Sequence, residues 1–516
     1  MKLLNNLIDH IQFHAQHRQE TMMASDCSKS LNYGQAWQHI NRIAARLQNV
    51  GIGKGDRVGI LAKNSVDNLC VLLACARVGA VAVGINYRLT QDEINYIATD
   101  AGIQFLFFSN EFNSLRGDYL SGKPAVCFDG NSSPTLFENW LSDNENVIDA
   151  NVNGDDILFQ MYTSGTTGRP KGVLISHSNV LSNCFQAPMS TGLGMRTGER
   201  ALIIAPFFHA VGLVGSLLGL IYGVSLVIHS DYDPIGMIET LANDDIHTVA
   251  LIPVMLQFSL AMVPNIKDYD FSSLHTISYG ASPISETLLR ECIDVFGCDF
   301  TQGYGQTEAT MALTFLTADD HRRALAGKPD LLRSCGRAVF ASEVKIVDAE
   351  GNELPHGEIG EIIANGPQIM QGYWNQADAT KHTIIDGWLH TGDAGRMDEE
   401  GYIYIHDRLK DMIISGGENI YPAEIENILV SHPQIQDAAV IGVPDVKWGE
   451  VPLAVLIAND DQRLTSDELE NYCQGKLARY KIPRKLEYLD SLPRNPTGKV
   501  LKKSIRELMK DKYPAS

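Results

Sequence analysis

The chain has 516 residues, of which 44% are hydrophobic and 20% are charged, a composition typical of a globular protein and not of a disordered one. Its 62 acidic and 42 basic residues give a formal net charge of -20 at pH 7. Because a field of this sign repels phosphate backbones, we expect no nucleic-acid partner. The 9 cysteines form no CxxC pair, which in a chain of this length favours reduced thiols and a cytoplasmic location.

Short β-branched runs alternate with helical patterns through the first four hundred residues. Helices are predicted over Tyr33–Asn49, Ser65–Val78 and Asp92–Thr99, with Thr90 as the N-cap of the third. This alternation predicts parallel sheets with helices on both faces. The predicted strands include RVGILA near 57, AVAVGI near 80, FLFF near 105, TVALIP near 248 and TISYG near 276.

One apolar stretch, Ala201–Ile228, has to be tested as a membrane span because it contains no Asp, Glu, Lys or Arg. Its glycines at 215, 219 and 223 have the GxxxG spacing of closely packed transmembrane helices. However, Pro206 and the punctuated pattern divide it into a strand (ALIIAP), a loop at 207–211, a helix of small residues and a second strand (VSLVIH). We therefore expect a buried βαβ segment.

The pattern changes after Gly336, where SEVKIVDAEGNELPHGEIGEIIANG alternates with period two between glycine turns and predicts an antiparallel or barrel-like unit. A further break at Asp407–Asp411 precedes a compact α/β stretch. The predicted fold class is thus α/β: a large N-terminal domain, 1–408, of parallel-rich α/β subdomains plus a barrel-like β subdomain, and a small C-terminal α/β domain, 409–516.

The strongest local signal is the run Thr163-Ser164-Gly165-Thr166-Thr167-Gly168-Arg169-Pro170-Lys171-Gly172, which follows the hydrophobic strand ILFQMY. Glycines and small hydroxyl residues leave backbone N–H groups free to surround phosphate oxygens, and the lysine adds a cationic donor. No Gly-Lys-Ser/Thr closes the run, so it is not a Walker A loop. Composition alone leaves a flexible glycine turn as the alternative.

This run resembles the signature of the adenylate-forming superfamily, which includes acyl-CoA synthetases, firefly luciferase and peptide-synthetase adenylation domains. Four further elements match that family in its order. They are Tyr304-Gly305-Gln306-Thr307-Glu308, Trp388-Leu389-His390-Thr391-Gly392-Asp393, Asp407-Arg408-Leu409-Lys410-Asp411 with Ser415-Gly416-Gly417-Glu418-Asn419, and Asn495-Pro496-Thr497-Gly498-Lys499. The resemblance covers essentially the whole chain.

The resemblance implies an ATP site and the first half-reaction, in which a carboxylate attacks the α-phosphorus. Thr163 and Glu308 would bind Mg²⁺, and Lys499 would offset charge between carboxylate and phosphate, so that these three are the catalytic residues. Asp393 would accept from the ribose hydroxyls and Arg408 would act as a fixed cation. The implied ATP- and AMP-binding residues are Thr163, Ser164, Gly165, Thr166, Thr167, Gly168, Lys171, Gly280, Ala281, Ser282, Tyr304, Gly305, Thr307, Asp393, Arg408 and Lys499.

The second half-reaction would be attack of a thiol on acyl-AMP. In the resembled family the small domain is mobile and swings about a hinge, whose position here is Lys410. The implied CoA-binding residues are Arg88, Ser415, Gly416, Gly417 and Trp448. Ile482 departs from the pattern, since one ligase type has arginine there.

His209, Val211 and Gly212 lie where the family places its acyl pocket, although a histidine on an apolar segment could equally be a core residue. The segments KDMIISGGENIYPAEIE and LARYKIPRK resemble bacterial fatty-acyl-CoA synthetases most, which implies a ligase that joins a medium- or long-chain fatty acid to CoA with ATP. The alternatives are an aryl, steroid-derived or other carboxylate, an adenylating module that loads a carrier-protein thiol, a luciferase-like oxygenase, and a non-catalytic adenylate-binding protein. The chain's oligomeric state and any peripheral membrane contact stay open.

Overall fold

The computed structural model describes residues 5–130, 135–141, 143–163, 169–192, 194–280, 284–416, 418–459, 463–494 and 500–514. Its strands are β1 Met22–Ser25, β2 Ser30–Asn32, β3 Arg57–Leu61, β4 Val81–Gly84, β5 Phe105–Phe108, β6 Ala125–Cys127, β7 Ile157–Thr163, β8 Lys171–Ser176, β9 Arg200–Ile203, β10 Ser225–Ile228, β11 Thr248–Leu251, β12 Thr276–Gly280, β13 Asp299–Tyr304, β14 Thr314–Leu316, β15 Arg337–Ala338, β16 Glu343–Val347, β17 Gly360–Asn365, β18 Gly372–Tyr373, β19 Ile384–Ile385, β20 Trp388–Met397, β21 Ile403–Arg408, β22 Ile413–Ser415, β23 Glu418–Ile420, β24 Ile435–Asp445, β25 Gly449–Ala458 and β26 Lys485–Tyr488.

The helices of the described residues are α1 Leu7–His17, α2 Tyr33–Asn49, α3 Val66–Val78, α4 Gln91–Ala101, α5 Gly117–Ser121, α6 Phe137–Trp140, α7 His177–Thr191, α8 Ala210–Tyr222, α9 Pro234–Asn243, α10 Pro253–Met262, α11 Glu286–Phe296, α12 Ala318–Leu325, α13 Ala377–Thr383, α14 Pro422–Leu429, α15 Ser466–Cys473 and α16 Lys502–Met509.

Local chemistry explains why the early helices begin where the sequence predicts. Asn32 caps α2 and exchanges reciprocal hydrogen bonds with Gln35, and Thr90 does the same with Glu93 at the start of α4. Each pair satisfies two backbone donors that the first helical turn would leave unpaired. Ser65 caps α3, which ends at Gly79 in the left-handed conformation.

Two large sheets dominate the part of the chain before the period-two segment. The nine-stranded sheet has the order β15-β14-β13-β12-β11-β9-β10-β1-β2, and the seven-stranded sheet has the order β18-β8-β7-β4-β3-β5-β6. Strands β9 to β13 pair in parallel through the middle of the first sheet. The carboxyl ends of β12 and β13 therefore lie at one edge, where loops of an open α/β sheet commonly bind ligands.

The apolar stretch 201–228 folds as the βαβ segment that the sequence predicts. It contains β9, α8 and β10, and the two strands pair in parallel. Helix α8 has 13 residues and so spans about 20 Å, short of the hydrocarbon core of a bilayer. Within the described ranges, no helix combines the length and the apolarity needed to cross a membrane.

Two smaller five-stranded sheets follow. One has the order β16-β17-β20-β19 with β21 beside β20, and the other has the order β23-β22-β25-β24 with β26 beside β25. The mixed α/β architecture, with a large N-terminal part and a smaller C-terminal part, confirms the predicted fold class.

Backbone contacts divide the chain into two compact units. Unit 1 comprises 1–344, 363–390 and 400–403, and unit 2 comprises 345–362, 391–399 and 404–516. A functional boundary between 408 and 409 stays a prediction.

Candidate functional site

The predicted phosphate loop closes a β-hairpin in unit 1. Strands β7 and β8 pair antiparallel, and the last pair in register is Thr163 with Lys171. The loop therefore begins and ends at two of the predicted phosphate-binding residues. Ser164, Gly165, Thr166, Thr167 and Gly168 lie outside the described residues. A Cβ on Gly172 would lie 2.7 Å from the Gln160 amide nitrogen, so a larger residue here would have to displace the Gln160 side chain.

Glu308 lies beside Thr163, as the predicted metal site requires. It occupies a short 3-10 turn, Thr307–Ala309, that follows β13. The Thr163 hydroxyl oxygen is 3.5 Å from Glu308 Oε1, and the Tyr373 hydroxyl donates to the same Oε1 at 2.8 Å. The main chain of Glu308 is also held, because Met370 N–H donates to its carbonyl at 2.8 Å.

Tyr373 is a site residue that the sequence analysis missed. Burial, followed by the neighbouring Glu308 charge, raises the pKa of Tyr373, so the phenol stays protonated and acts as a donor. Lys171 Nζ lies 4.7 Å from the centre of the Tyr373 ring, so the same tyrosine contacts both the lysine and Glu308. Tyr373 stands in the short segment Gln371-Gly372-Tyr373-Trp374, which lies outside the five motifs, and its contact with Glu308 is revealed by the tertiary structure.

The described part of the predicted adenine slot lies at the carboxyl ends of β12 and β13. Gly280 pairs in register with Gly303, and a Cβ on Gly280 would lie 2.7 Å from the Gly303 carbonyl oxygen. A Cβ on Gly305 would lie 2.1 Å from the Met311 carbonyl oxygen. Tyr304 ends β13 between Gly303 and Gly305. Because Gly280 and Gly305 lack side chains, the backbone packs closely on either side of it. Ala281 and Ser282 lie outside the described residues.

The predicted acyl-pocket residues surround the start of α8. His209 is the N-cap residue of this helix, and Val211 is 47% exposed in its first turn. A Cβ on Gly212 would lie 2.3 Å from the carbonyl oxygens of both Ala205 and Pro206. The loop that presents His209 can therefore fold tightly over the helix only because residue 212 is glycine.

His209 is neutral at physiological pH. Burial, together with the positive charge of Arg88, lowers the pKa of His209 to about 4. Its Nε2 is buried and has no hydrogen-bond partner among the described residues. The ring packs against Phe208 at a centroid distance of 4.5 Å, and Phe208 in turn meets Tyr87 edge to face at 5.3 Å. A buried polar nitrogen of this kind is suited to a bound molecule or a water that completes its hydrogen bonding.

Arg88, a predicted CoA-binding residue, belongs to the same neighbourhood of unit 1. Its guanidinium lies 5.7 Å from the Tyr87 ring centre, and its charge reaches His209. The structure thus brings Arg88 towards the predicted acyl residues.

In unit 2, the predicted ribose and cation residues form an ion pair. Arg408 Nε lies 2.8 Å from Asp393 Oδ1, and the Asp393 side chain is only 5% exposed. Arg408 also donates to the Thr391 carbonyl at 3.3 Å, and the Thr391 hydroxyl accepts from Asp393 N–H at 3.1 Å. The carboxylate of Asp393 is therefore fixed in one orientation.

Lys410 is exposed in the short 3-10 turn Leu409–Asp411. Both flanks of this turn are held by charged contacts within unit 2. Asp407 accepts from Ala423 N–H at 2.8 Å, and Arg506 donates to Asp411 at 2.9 Å. Because Ala423 and Arg506 both follow Lys410 in the chain, a rotation at Lys410 would have to break the Asp407–Ala423 hydrogen bond, whereas the Arg506–Asp411 contact would move with the segment that follows.

The predicted CoA-binding residues of unit 2 lie together at the end of β22. Ser415 pairs in register with Gly449, and Gly416 N–H donates to the Trp448 carbonyl at 2.7 Å. Gly416 has φ +61°, and a Cβ there would lie 2.6 Å from the indole ring. Two cations flank the indole, Lys447 Nζ at 4.7 Å and Arg484 Cζ at 5.3 Å from its centre. Gly417 and Lys499 lie outside the described residues.

The residues at Glu308 fit a Mg²⁺ ion that is bound together with phosphates. Mg²⁺ prefers oxygen ligands and is usually held by one or two protein side chains plus water and substrate phosphates. Thr163 and Glu308 offer a hydroxyl and a carboxylate oxygen on the edge of the hairpin loop. In the described part of the chain no cluster of three or more His, Cys, Asp or Glu side chains could hold a metal alone.

Comparison with known families decides the identity of the chain. Residues 11–374 match the model of the AMP-binding enzyme family, and residues 424–499 match the model of the AMP-binding enzyme C-terminal domain. The chain belongs to the AMP-binding enzyme family. The resemblance inferred from the five motifs is thereby confirmed.

Individual relatives of this AMP-binding enzyme cover nearly its full length. It is 36% identical over 512 residues to the fatty acid–[acyl-carrier-protein] ligase ScoC of Streptomyces coeruleorubidus, covering 98% of this chain and 96% of the relative. It is 38% identical over 482 residues to a feruloyl-CoA synthase of an Amycolatopsis species, covering 92% and 94%.

A solved structure is similar throughout. The o-succinylbenzoate coenzyme A synthetase MenE of Bacillus subtilis, in complex with ATP and magnesium ion, has a TM-score of 0.85 and 31% identity and covers 96% of this chain and 99% of that chain. This AMP-binding enzyme is therefore an AMP-forming acid–thiol ligase of the adenylate-forming class, for which ATP and CoA are fitting co-substrates. The relatives act on different acids, so membership alone does not fix the acid.

Proposed function

We propose that the protein is an AMP-forming acyl-CoA synthetase that activates a medium- or long-chain fatty acid with ATP and transfers the acyl group to CoA. The observation that carries the proposal is the grouping of Thr163, Lys171, Tyr373 and Glu308 at the mouth of the hairpin loop. A hydroxyl and a lysine at the two ends of one glycine-rich loop, with a carboxylate beside the hydroxyl, are suited to a metal-bound polyphosphate.

In the first half-reaction the carboxylate oxygen of the acid would attack the α-phosphorus of ATP and release pyrophosphate. Bound Mg²⁺ would neutralise phosphate charge and polarise the reacting centre. Thr163 and Glu308 would hold that ion, and the loop 163–171 would bind the β- and γ-phosphates. Lys499 would approach the carboxylate and the α-phosphate, where an ammonium offsets the charge that builds up in the transition state.

In the second half-reaction a thiolate would attack the acyl carbonyl and release AMP. The predicted contributors from unit 2 are the turn at Ser415 and Gly416, whose missing side chain permits close approach, and Trp448 with its two flanking cations. An aromatic face between Lys447 and Arg484 is chemically suited to a purine nucleotide with phosphates.

The substrate class is argued from the surroundings of His209. Phe207, Phe208 and Leu213 are buried beside it, and Val211 exposes an apolar side chain, which favours an apolar acid. The relationship to the fatty acid ligase ScoC supports a fatty acid. The unpaired His209 Nε2 and the similarity to a feruloyl-CoA synthase favour an aryl acid with a polar substituent as the second candidate.

The acceptor thiol is the other open choice. The cations near Trp448 favour CoA, whereas the similarity to ScoC, a fatty acid–[acyl-carrier-protein] ligase, favours a carrier-protein thiol. A cytoplasmic location, suggested by cysteines that form no CxxC pair, stays a prediction.

The test is release of pyrophosphate and of AMP from ATP across a panel of fatty, aryl and branched acids, each with CoA, with phosphopantetheinylated carrier protein, or with neither. Pyrophosphate release with fatty acids and AMP release that depends on CoA would support the proposal. Activity on aromatic acids alone would replace the substrate class, and a response to carrier protein alone would replace the acceptor. No pyrophosphate with any acid would overturn the ligase function.

A further inference from the structure

The turn that carries Glu308 ends in a strained residue. Thr310 is fully buried and has φ 65° and ψ -54°, a positive-φ conformation that is rare for a β-branched residue. Met311 N–H donates to the Ala309 carbonyl at 2.7 Å across it, so Thr310 is the central residue of a γ-turn of the rare, strained kind. Such strain persists only where the surrounding structure imposes it, and it clusters at functional sites.

Two hydrogen bonds tie this turn to the segment that follows β17. The Thr310 hydroxyl donates to the Gln368 carbonyl at 2.7 Å, and Met370 N–H donates to the Glu308 carbonyl at 2.8 Å. The same segment leads into β18 and Tyr373, whose hydroxyl donates to the Glu308 carboxylate. The hydroxyl of Thr310 thus helps to set the distance between the Glu308 backbone and the donor that orients its side chain.

Three buried amides of α7 hold the end of the turn and the segment that faces it. Asn183 donates to the Ala312 carbonyl at 3.0 Å and accepts from Ala312 N–H at 3.3 Å. Asn179 donates to the carbonyls of Pro367 and Ile369 at 2.9 and 2.8 Å, and Gln186 donates to Gln368 Oε1 at 3.0 Å. Burying amides is costly unless their hydrogen bonds are made, so this network favours one arrangement of both segments.

We propose that Thr310 is a positioning residue for the adenylation reaction. Its hydroxyl holds the strained turn against Gln368 and so fixes the Glu308 carboxylate at the metal-binding distance from Thr163. The inference rests on the proposed function, since it assigns Glu308 to the metal-bound ATP. A displacement of about 1 Å at a reacting centre can lower the rate about a hundredfold. A strained turn that prevents such a displacement of Glu308 would therefore favour adenylation.

The test compares Thr310→Val, which keeps the shape and removes the hydroxyl, with Thr310→Ser, which restores it. Ser225→Ala is the matched control, because the Ser225 hydroxyl is also buried and donates to a main-chain carbonyl, that of Met22, at 2.6 Å. Isothermal titration calorimetry measures the Kd of ATP with and without Mg²⁺, in the absence of any acid. Pyrophosphate release with the best acid gives kcat and KM.

We expect Thr310→Val to lower the factor by which Mg²⁺ increases ATP affinity at least about fivefold. We also expect it to lower kcat at least about tenfold, with KM for the acid unchanged. Thr310→Ser should return both towards wild type, and Ser225→Ala should change neither. If Thr310→Val does not fold, Thr310→Gly decides, because glycine adopts φ 65° without strain and also lacks the hydroxyl.

The proposal would be overturned if Mg²⁺ increased ATP affinity by the same factor in the soluble Thr310 variants and in Ser225→Ala. It would also be overturned if the ATP affinity of the wild type did not depend on Mg²⁺. A wild type that binds ATP with Mg²⁺ dependence but releases no pyrophosphate with any acid would refute the proposed function alone, since calorimetry still tests the role of Thr310.

Discussion

The carboxylate of Glu308 touches a threonine hydroxyl on one side and a protonated tyrosine on the other. At the scale of single residues, the motifs predicted the first contact, because Thr163 and Glu308 both stand in recognisable sequence patterns. They could not predict the second, because Tyr373 is 65 residues further along the chain and lies outside the five motifs. Its proximity depends on β18 pairing with β8, a tertiary event.

Glu308→Gln keeps the size of the side chain and removes its charge. We expect pyrophosphate release to fall about a hundredfold, because a neutral amide binds Mg²⁺ weakly and no longer neutralises the metal–phosphate complex. Initial rates at saturating ATP and acid measure the effect. The exposed Glu358→Gln is the control and should keep the wild-type rate. A Glu308→Gln enzyme within threefold of wild type would remove Glu308 from the catalytic residues.

His209 gives a prediction on pH dependence. Its pKa is about 4 in the folded protein, whereas the ordinary histidine pKa is 6.5, so between pH 6.5 and 4 the unfolded chain takes up a proton that the folded chain does not. Stability is therefore lost as the pH falls through this window, by on the order of 2 kcal/mol at pH 5 from this group. Urea unfolding at pH 7 and pH 5 should show a smaller loss for His209→Phe than for wild type. The exposed His356→Phe is the control and should lose as much stability as wild type. An equal loss in His209→Phe and wild type would contradict the prediction, because the imidazole would then be protonated in the native state.

At the scale of elements, capping chemistry decided how well boundaries could be predicted. Helix α2 covers Tyr33–Asn49 as expected, and α3 begins one residue after its cap, Ser65. Helix α4 runs two residues beyond the predicted end and stops at Gly102, which ends it in the left-handed conformation. The strands at the centres of the sheets were predictable because burial on both faces requires continuous apolar runs. The very short β15, β18 and β19 carry no such signal and are defined by their partners.

Helix α8 allows two glycines of one element to be compared. Gly212→Ala would place a Cβ 2.3 Å from two carbonyl oxygens, whereas Gly215→Ala meets nothing within 4 Å. We expect Gly212→Ala to lower Tm by several degrees and to raise KM for the acid, because the loop that bears His209 must shift. Gly215→Ala should leave KM unchanged and hold or raise Tm, since alanine is about 1 kcal/mol better than glycine in a helix. Thermal unfolding and acid saturation curves measure both. Identical behaviour of the two variants would show that the loop does not depend on Gly212.

At the scale of the whole molecule, the sequence predicted the family and the order of its motifs but not the acid substrate. The five motifs identified the family and the sequence of its elements, since each motif is local and contiguous. The acid could not be predicted, because the residues around His209 come from β4, the loop before α8 and Arg88, and their shape depends on tertiary packing. Substrate choice is set by such packing and not by a short pattern.

The two half-reactions separate the predicted roles of Lys499 and Lys410. Lys499→Ala should abolish acyl-AMP formation from ATP but leave thioester formation from supplied acyl-AMP largely intact, because the ammonium is needed only where carboxylate meets α-phosphate. Lys410→Pro should do the reverse, because proline fixes φ near -65° and so restricts rotation in the turn Leu409–Asp411.

Rapid-quench assays of each half-reaction, with acyl-AMP supplied in the second, measure both variants. Exposed Lys503→Ala serves as the control for loss of a nearby charge and should retain both rates. If Lys499→Ala loses both half-reactions equally, or Lys410→Pro slows adenylation as much as thioester formation, one conformation serves both steps. The catalytic lysine and the thiol-binding residues would then have to act without a hinge rotation.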